Sequence, residues 1–206
     1  MTAEEVKSFE RCIAAGGVAL FPADTVYGLA TEPDSRSGVE RLYRLKGRPA
    51  ERPAAVMFFG IEPALAALPE LGERTRAALG RLLPGAVTLV LPNPAGRFPL
   101  ACGADAGVLG LRVPAWPPAL AALAGVRWPV LQTSANAAGA PDARRLADVP
   151  EYMRMHTDLV LDGGELPGRP STVVDLRAYE ADEEWSVVRE GAMSVTEVSA
   201  RLESAP

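Results

Sequence analysis

Five cations, Arg41, Arg44, Lys46, Arg48 and Arg52, fall within twelve residues that hold one acid, Glu51. Lysine and arginine total 21 in the chain, and only Lys7 and Lys46 are lysines. Arg41 and Arg44 close a helical pattern, where the helix dipole favours a cation by roughly 0.3–1 kcal/mol; a solvated helix face accounts for them. Lys46 and Arg48 instead enter the stiff stretch "KGRPAERP". An ammonium is a compact point charge and a guanidinium a rigid fork. Side by side, the two suit the phosphates of a nucleoside triphosphate.

Three further stretches carry polar groups at the ends of apolar runs. In "FPADTVYGLA", Asp24, Thr25 and Tyr27 follow a run stopped by Pro22. Asp24 and Thr25 read as ordinary turn chemistry; alternatively, the Thr25 hydroxyl and Tyr27 form the wall of a site for a small polar ligand. In "LQTSANAAG", Thr133, Ser134 and Asn136 enter a loop of small residues, which lets backbone approach a ligand or caps the next helix. In "DGGELPGRPSTVVDL" the glycines precede a strand rather than a helix and there is no GxxxxGK[ST], so this is not a P-loop. Arg169 and Arg189 add cations to that half. Together the stretches converge on a site for ATP or a similar polyanion plus a small polar partner.

Other chemistries are poorly supplied. The single histidine, His156 in "MRMHTD", leaves Ser-His-Asp hydrolysis and histidine-rich metal sites without material. Cys12 and Cys102 lie far apart with no CxxC spacing, which suits a reducing compartment. A formal charge of −5 and a pI near 5.1 argue against an indiscriminate nucleic-acid coat. The start, "MTAEEVKSFERC", lacks signal-peptide character, and no apolar run approaches the roughly 20 residues of a spanning helix. The expectation is a cytoplasmic enzyme or binding domain, one domain over residues 1–206.

The elements that must position these groups alternate. Thr2 with Glu5 makes a capping-box pattern for a helix ending at Gly16-Gly17. Strands are expected at 18–22, 54–59, 84–92, 107–114, 128–134, 158–162, 171–176 and 184–190. Helices are expected at 37–47, 62–68, 73–83, 117–124 and 194–203, with a short one after 142. The terminal "ESAP" is expected to fray. Such alternation says α/β with a mixed sheet.

The ordered stretches "PADTVYGLA", "KGRP", "LPGAVTLVL", "GLRVP", "SAN", "STVVD" and "VVREG" resemble the YrdC family, in its single-domain threonylcarbamoyl-AMP synthase (TsaC) type, over about residues 8–192. The resemblance implies a twisted mixed sheet with helices around a concave, positively charged cavity. It implies that L-threonine, bicarbonate and ATP give L-threonylcarbamoyl-AMP and pyrophosphate, and that downstream transferase proteins pass the threonylcarbamoyl group to tRNA. It also implies Mg²⁺ arriving with ATP, no metal held by the protein alone, and tRNA or double-stranded RNA as a further partner.

By position, Lys46 and Arg48 would grip the ATP phosphates as the catalytic pair. Arg52, Ser134, Asn136 and Arg189 would serve the nucleotide. Thr25, Tyr27, Met57, Arg112 and Ser171 would serve threonine, Arg112 as a bidentate fork on its carboxylate. The segment 163–170 is the expected lid. Most departures fall on the amino-acid side: Ala23 for a common threonine, Met57 for a common histidine, Pro170 before "STV", and Ala138 for a serine. Two alternatives follow, a YciO-like paralogue with another substrate and a non-catalytic tRNA- or dsRNA-binding module, whose affinity would fall steeply with salt.

Overall fold

Nine strands form one mixed sheet in a computed structural model that describes residues 1–204; the fraying expected of the last two residues lies outside them. Helix α1, Ala3–Ala14, is started by the Thr2–Glu5 capping box and buries Val6, Phe9 and Ile13. Strands β1, Ala19–Pro22, and β2, Tyr27–Thr31, pair antiparallel across the turn 23–26. Helix α2, Arg36–Lys46, is capped by Ser35 and ends at Gly47 with φ 62°, a left-handed stop that glycine takes without a Cβ penalty.

Then come β3, Ala55–Met57; α3, Ile61–Ala67; α4, Glu73–Leu82; β4, Val87–Pro92; β5, Val108–Arg112; and β6, Val130–Ser134. The chain ends through α5, Glu151–His156; β7, Leu159–Val160; β8, Thr172–Asp175; α6, Tyr179–Asp182; β9, Ser186–Arg189; and α7, Val195–Glu203. The sheet order is β7-β1-β2-β6-β3-β5-β4-β8-β9. The β1–β7, β3–β5 and β4–β8 pairs are parallel and the rest antiparallel.

Most expected elements are present, with three differences, the first being the short helix α6, which no expected element covers. Sequence patterning puts Tyr27 in a turn and assigns no element to 28–31, whereas "YGLAT" is a strand buried along its whole length. A strand covered on both faces shows no alternation, and glycine and alanine carry little strand propensity. The Pro-started stretch near 117–124 is a 3₁₀ helix, Pro118–Gly125, rather than an α-helix.

Because side chains alternate across a strand, register sorts the sheet into two faces. Val56, Leu89, Leu111, Leu131 and Val174 share one face and are buried in the core. The other face carries smaller and polar residues in two rows. Gln132, Ala55, Gly110 and Val90 are successive partners across β6, β3, β5 and β4. Arg112, Thr88, Val173 and Arg189 are successive partners across β5, β4, β8 and β9.

Candidate active site

These two rows floor a cavity of about 240 Å³. Its walls come from Val26 in the β1–β2 turn, Arg48 with 53–55, Thr133 and Ser134 at the end of β6, and Pro170 and Ser171 before β8. Three lining residues are arginines, Arg48, Arg112 and Arg189, and none is aspartate or glutamate. A larger groove of about 790 Å³ lies outside α2, against Pro99 and Leu100; of the candidate ligand residues it shares only Arg48.

Arg112 ends β5 with its side chain 3% exposed, and Asp24 beneath it is 4% exposed. Its Nη2 donates to the Asp24 carboxylate and to Thr25 Oγ1, the latter at 2.6 Å, while Nε is buried without a partner. The two-pronged grip expected of Arg112 on a ligand is therefore engaged within the protein on the Nη2 side. Burial pushes the Asp24 carboxyl up and pulls the Arg112 guanidinium down, and each charge opposes the shift in the other.

Arg48 follows the helix stop at Gly47, its backbone N–H bonded to Tyr43 O at 3.0 Å. Its Nη2 donates to Pro53 O, its Nε is buried and unpartnered, and its guanidinium carbon lies 6.0 Å from the Tyr43 ring centre. Arg189 Nη2 donates to Ser171 O at 2.8 Å. The chain after it can turn back only because residue 191 is glycine: a Cβ there would stand 2.2 Å from Pro170 O. Ser171 Oγ shares a 2.8 Å hydrogen bond with Thr88 Oγ1.

Other expected residues sit near the cavity without lining it. Lys46, 5% exposed, gives its ammonium to Ser134 O and Asn136 Oδ1 at 2.6 Å, and to Ser134 Oγ and Asn136 O at 3.1 Å. Burial, then the charge of Arg48, lowers its pKa to about 8. Asn136 Oδ1 also accepts from Ser134 Oγ at 2.6 Å, so Lys46 gathers the "SAN" loop around itself. Arg52 is exposed and is bonded through its backbone, its carbonyl accepting from Tyr43 Oη and its N–H donating to Pro49 O. Met57, opposite Arg112 in register, is fully buried.

Tyr27 is also fully buried. Its hydroxyl donates toward Asp162 Oδ1 and Gly164 O and accepts from Gly163 N; burial, then Asp162, pushes its pKa up to about 12. Gly168 N bonds Thr25 O at 2.9 Å, and Glu165 pairs with Arg144 and Arg145. The segment expected to be a lid is pinned at several points here.

Three contributors escape sequence reasoning. Asp24 registers there only as turn chemistry. Thr88 is readable from the alternation in "VTLVLP", which sets it opposite Leu89 and Leu91. Gln132, a polar interruption in "PVLQT", is 9% exposed; it lines the cavity, and its amide makes no hydrogen bond among the described residues. Its space depends on Gly28, where a Cβ would come within 3.2 Å of the Gln132 Oε1 atom.

The sequence profile of the Sua5/YciO/YrdC family, described as telomere recombination, matches residues 11–191. The chain belongs to this family. A Sua5/YciO/YrdC relative named threonylcarbamoyl-AMP synthase, from Stutzerimonas stutzeri, is 35% identical over 179 residues, 85% of this chain and 94% of that protein. One of the same name from Pyrococcus abyssi is 30% identical over 203 residues, 95% of this chain and 58% of that protein. The solved structure of P. abyssi Sua5 complexed with L-threonine matches with a TM-score of 0.83 at 27% identity, over 98% of this chain and 58% of that one. The chain thus spans a little over half the length of these Pyrococcus relatives. The mixed α/β fold expected from the sequence is the fold of the Sua5/YciO/YrdC family.

Proposed function

We propose that the chain is a nucleotidyltransferase that makes L-threonylcarbamoyl-AMP and pyrophosphate from L-threonine, bicarbonate and ATP. That is the first step toward N6-threonylcarbamoyladenosine in tRNA. The observation that carries this reading is the acid-free cavity with Arg48, Arg112 and Arg189 in its lining, where two guanidinium Nε atoms are buried without partners. Buried donors of that kind are costly unless an acceptor arrives, and carboxylates and phosphates are the acceptors that suit guanidinium. The relatives' names support threonylcarbamoyl-AMP as the product and one solved structure supports L-threonine as a ligand; ATP and bicarbonate are part of the proposal.

At about 240 Å³ the cavity is smaller than the roughly 300–1,000 Å³ of common ligand sites. In this reading threonine lies on the Arg112 floor beside Ser171, and ATP extends past Arg48 and Arg189 at the mouth. The threonine amine takes up CO₂ or bicarbonate to form a carbamate, whose oxygen attacks the α-phosphorus as pyrophosphate leaves. The protein's part is positioning and charge neutralisation: Arg48 and Arg189 meet the phosphates, and Lys46 holds Ser134 and Asn136 in place behind them. Mg²⁺ bound to the phosphates would supply further neutralisation, and an acid-free lining fits a cation held by phosphate and water. The product then passes to transferase proteins that act on tRNA, in the cytoplasm.

The test is pyrophosphate release by the purified chain with ATP and Mg²⁺, leaving out threonine or bicarbonate in turn. Release that needs both is expected. Release driven by another amino acid points to a paralogue, and ATP binding without release overturns the catalytic reading.

A further inference from the structure

Of the three arginines in the cavity lining, one has an acid of its own. Arg48 and Arg189 are tethered by the carbonyl oxygens of Pro53 and Ser171, whereas Arg112 holds the Asp24 carboxylate in a pair that is nearly dry on both sides. We propose that Asp24 is a positioning residue that sets ligand specificity, fixing Arg112 so that the cavity floor accepts a carboxylate and refuses a phosphate. For the identity of that carboxylate the inference rests on the synthase reading; for the refusal of phosphate it does not.

The argument has a geometric and an electrostatic half. Arginine grips phosphate and carboxylate alike with two parallel N–H groups, a fork that commonly includes Nη2, so geometry weakens both grips and charge does the sorting. Asp24 and Thr25 take both hydrogens of Nη2. The remaining donors, Nε and Nη1, lie on opposite edges of the guanidinium and form no fork. Electrostatically, Asp24 brings the pair to zero net charge, so a phosphate dianion would sit beside a fixed anion. A monoanionic carboxylate meets a weaker repulsion and needs one good N–H contact. Without Asp24, a bare guanidinium near Arg48 and Arg189 would draw the most highly charged group available, and the phosphates of the nucleotide would compete for the amino-acid end. Asp24 sorts two anions that share one small, positive cavity.

The experiment is calorimetric titration of the full chain, wild type, Asp24→Asn and Asp24→Glu, with inorganic phosphate, L-threonine and L-threoninol, which lacks the carboxylate. Loss of a like-charge contact and of a charge-assisted hydrogen bond each corresponds to about tenfold or more in affinity. Asp24→Asn is expected to bind phosphate about tenfold more tightly than wild type and to lose about tenfold of the preference for threonine over threoninol. A merely structural residue would weaken all three ligands together. Phosphate affinity within about twofold of wild type overturns the inference. If Asp24→Asn fails to fold, Asp24→Glu decides: keeping the charge, it should still exclude phosphate yet lower the threonine preference, and an unchanged preference overturns the positioning role. A wild type that binds no threonine sinks the synthase reading, and the phosphate titrations then judge Asp24 alone.

Discussion

The cations of the cavity span a range of exposure: at one end Arg112 is 3% exposed and faces a carboxylate; at the other, Arg48 is half-buried, Arg189 is exposed, and both are held by carbonyl oxygens. The first end is a dry pair whose geometry is set before any ligand arrives. The second keeps net charge near water. A fixed, neutralised cation suits recognition of a small monoanion, while solvated cations suit a flexible polyanion whose charge changes during a reaction. The same residue type does both jobs because its surroundings differ.

Removing a cation from each end tests that contrast, and the dry end should respond most. Arg112→Met leaves Asp24 buried without its partner, which typically costs about 3–5 kcal/mol. Urea unfolding measures it, and a loss below about 1 kcal/mol would mean that water reaches Asp24 and the pair is not dry. Arg48→Ala should behave in the opposite sense, with little change in the unfolding midpoint. Threonine-dependent pyrophosphate release should then fall about 10²–10³-fold, the usual effect of deleting one preorganised donor to developing charge. Equal losses of stability in the two variants would erase the distinction between the ends.

The smallest effect concerns Lys46, behind the solvated end. Its pKa in the fold is about 8, against 10.5 ordinarily, with burial as the main cause. Between those values the unfolded chain binds the proton and the folded chain does not, so this group makes the fold more stable as pH rises from 8 to 10.5. Below pH 8 its contribution is a constant cost. Urea titrations at pH 7.5 and 10 should show wild type gaining on Lys46→Met. A flat difference would show that the four oxygens around the ammonium outweigh its burial.

How much of this is legible in the sequence differs between the two ends. The Arg48 end is announced by a run of cations and a stiff loop. Lys46 stands out as well, but its environment gives a reason that spacing cannot: a compact ammonium fits inside four converging oxygens, and a planar guanidinium does not. The Arg112 end is harder to see, because "GLRVP" offers one cation in an apolar run and its acid lies 88 residues earlier in a stretch that reads as a turn. Only the successive pairings β1–β2, β2–β6, β6–β3 and β3–β5 carry that turn to the end of β5. Strand β2 is itself the strand that patterning misses, since burial on both faces erases its alternation. Pairing across long sequence separations leaves no local mark, and that is where Asp24 and Gln132 gain their meaning.

The place of β6 in the sheet has a consequence in time. Residues 130–134 join β2 on one side to β3 on the other, so the first hairpin and the larger half of the sheet have no direct strand pairing until that segment exists. During synthesis the edge of β2 waits for a partner about 100 residues downstream. Long-range pairing of this kind folds slowly and leaves strand edges open to misassociation. The cavity, which takes Gln132, Thr133 and Ser134 from β6 and Ser171, Val173 and Arg189 from the segments after it, is therefore completed late in an emerging chain.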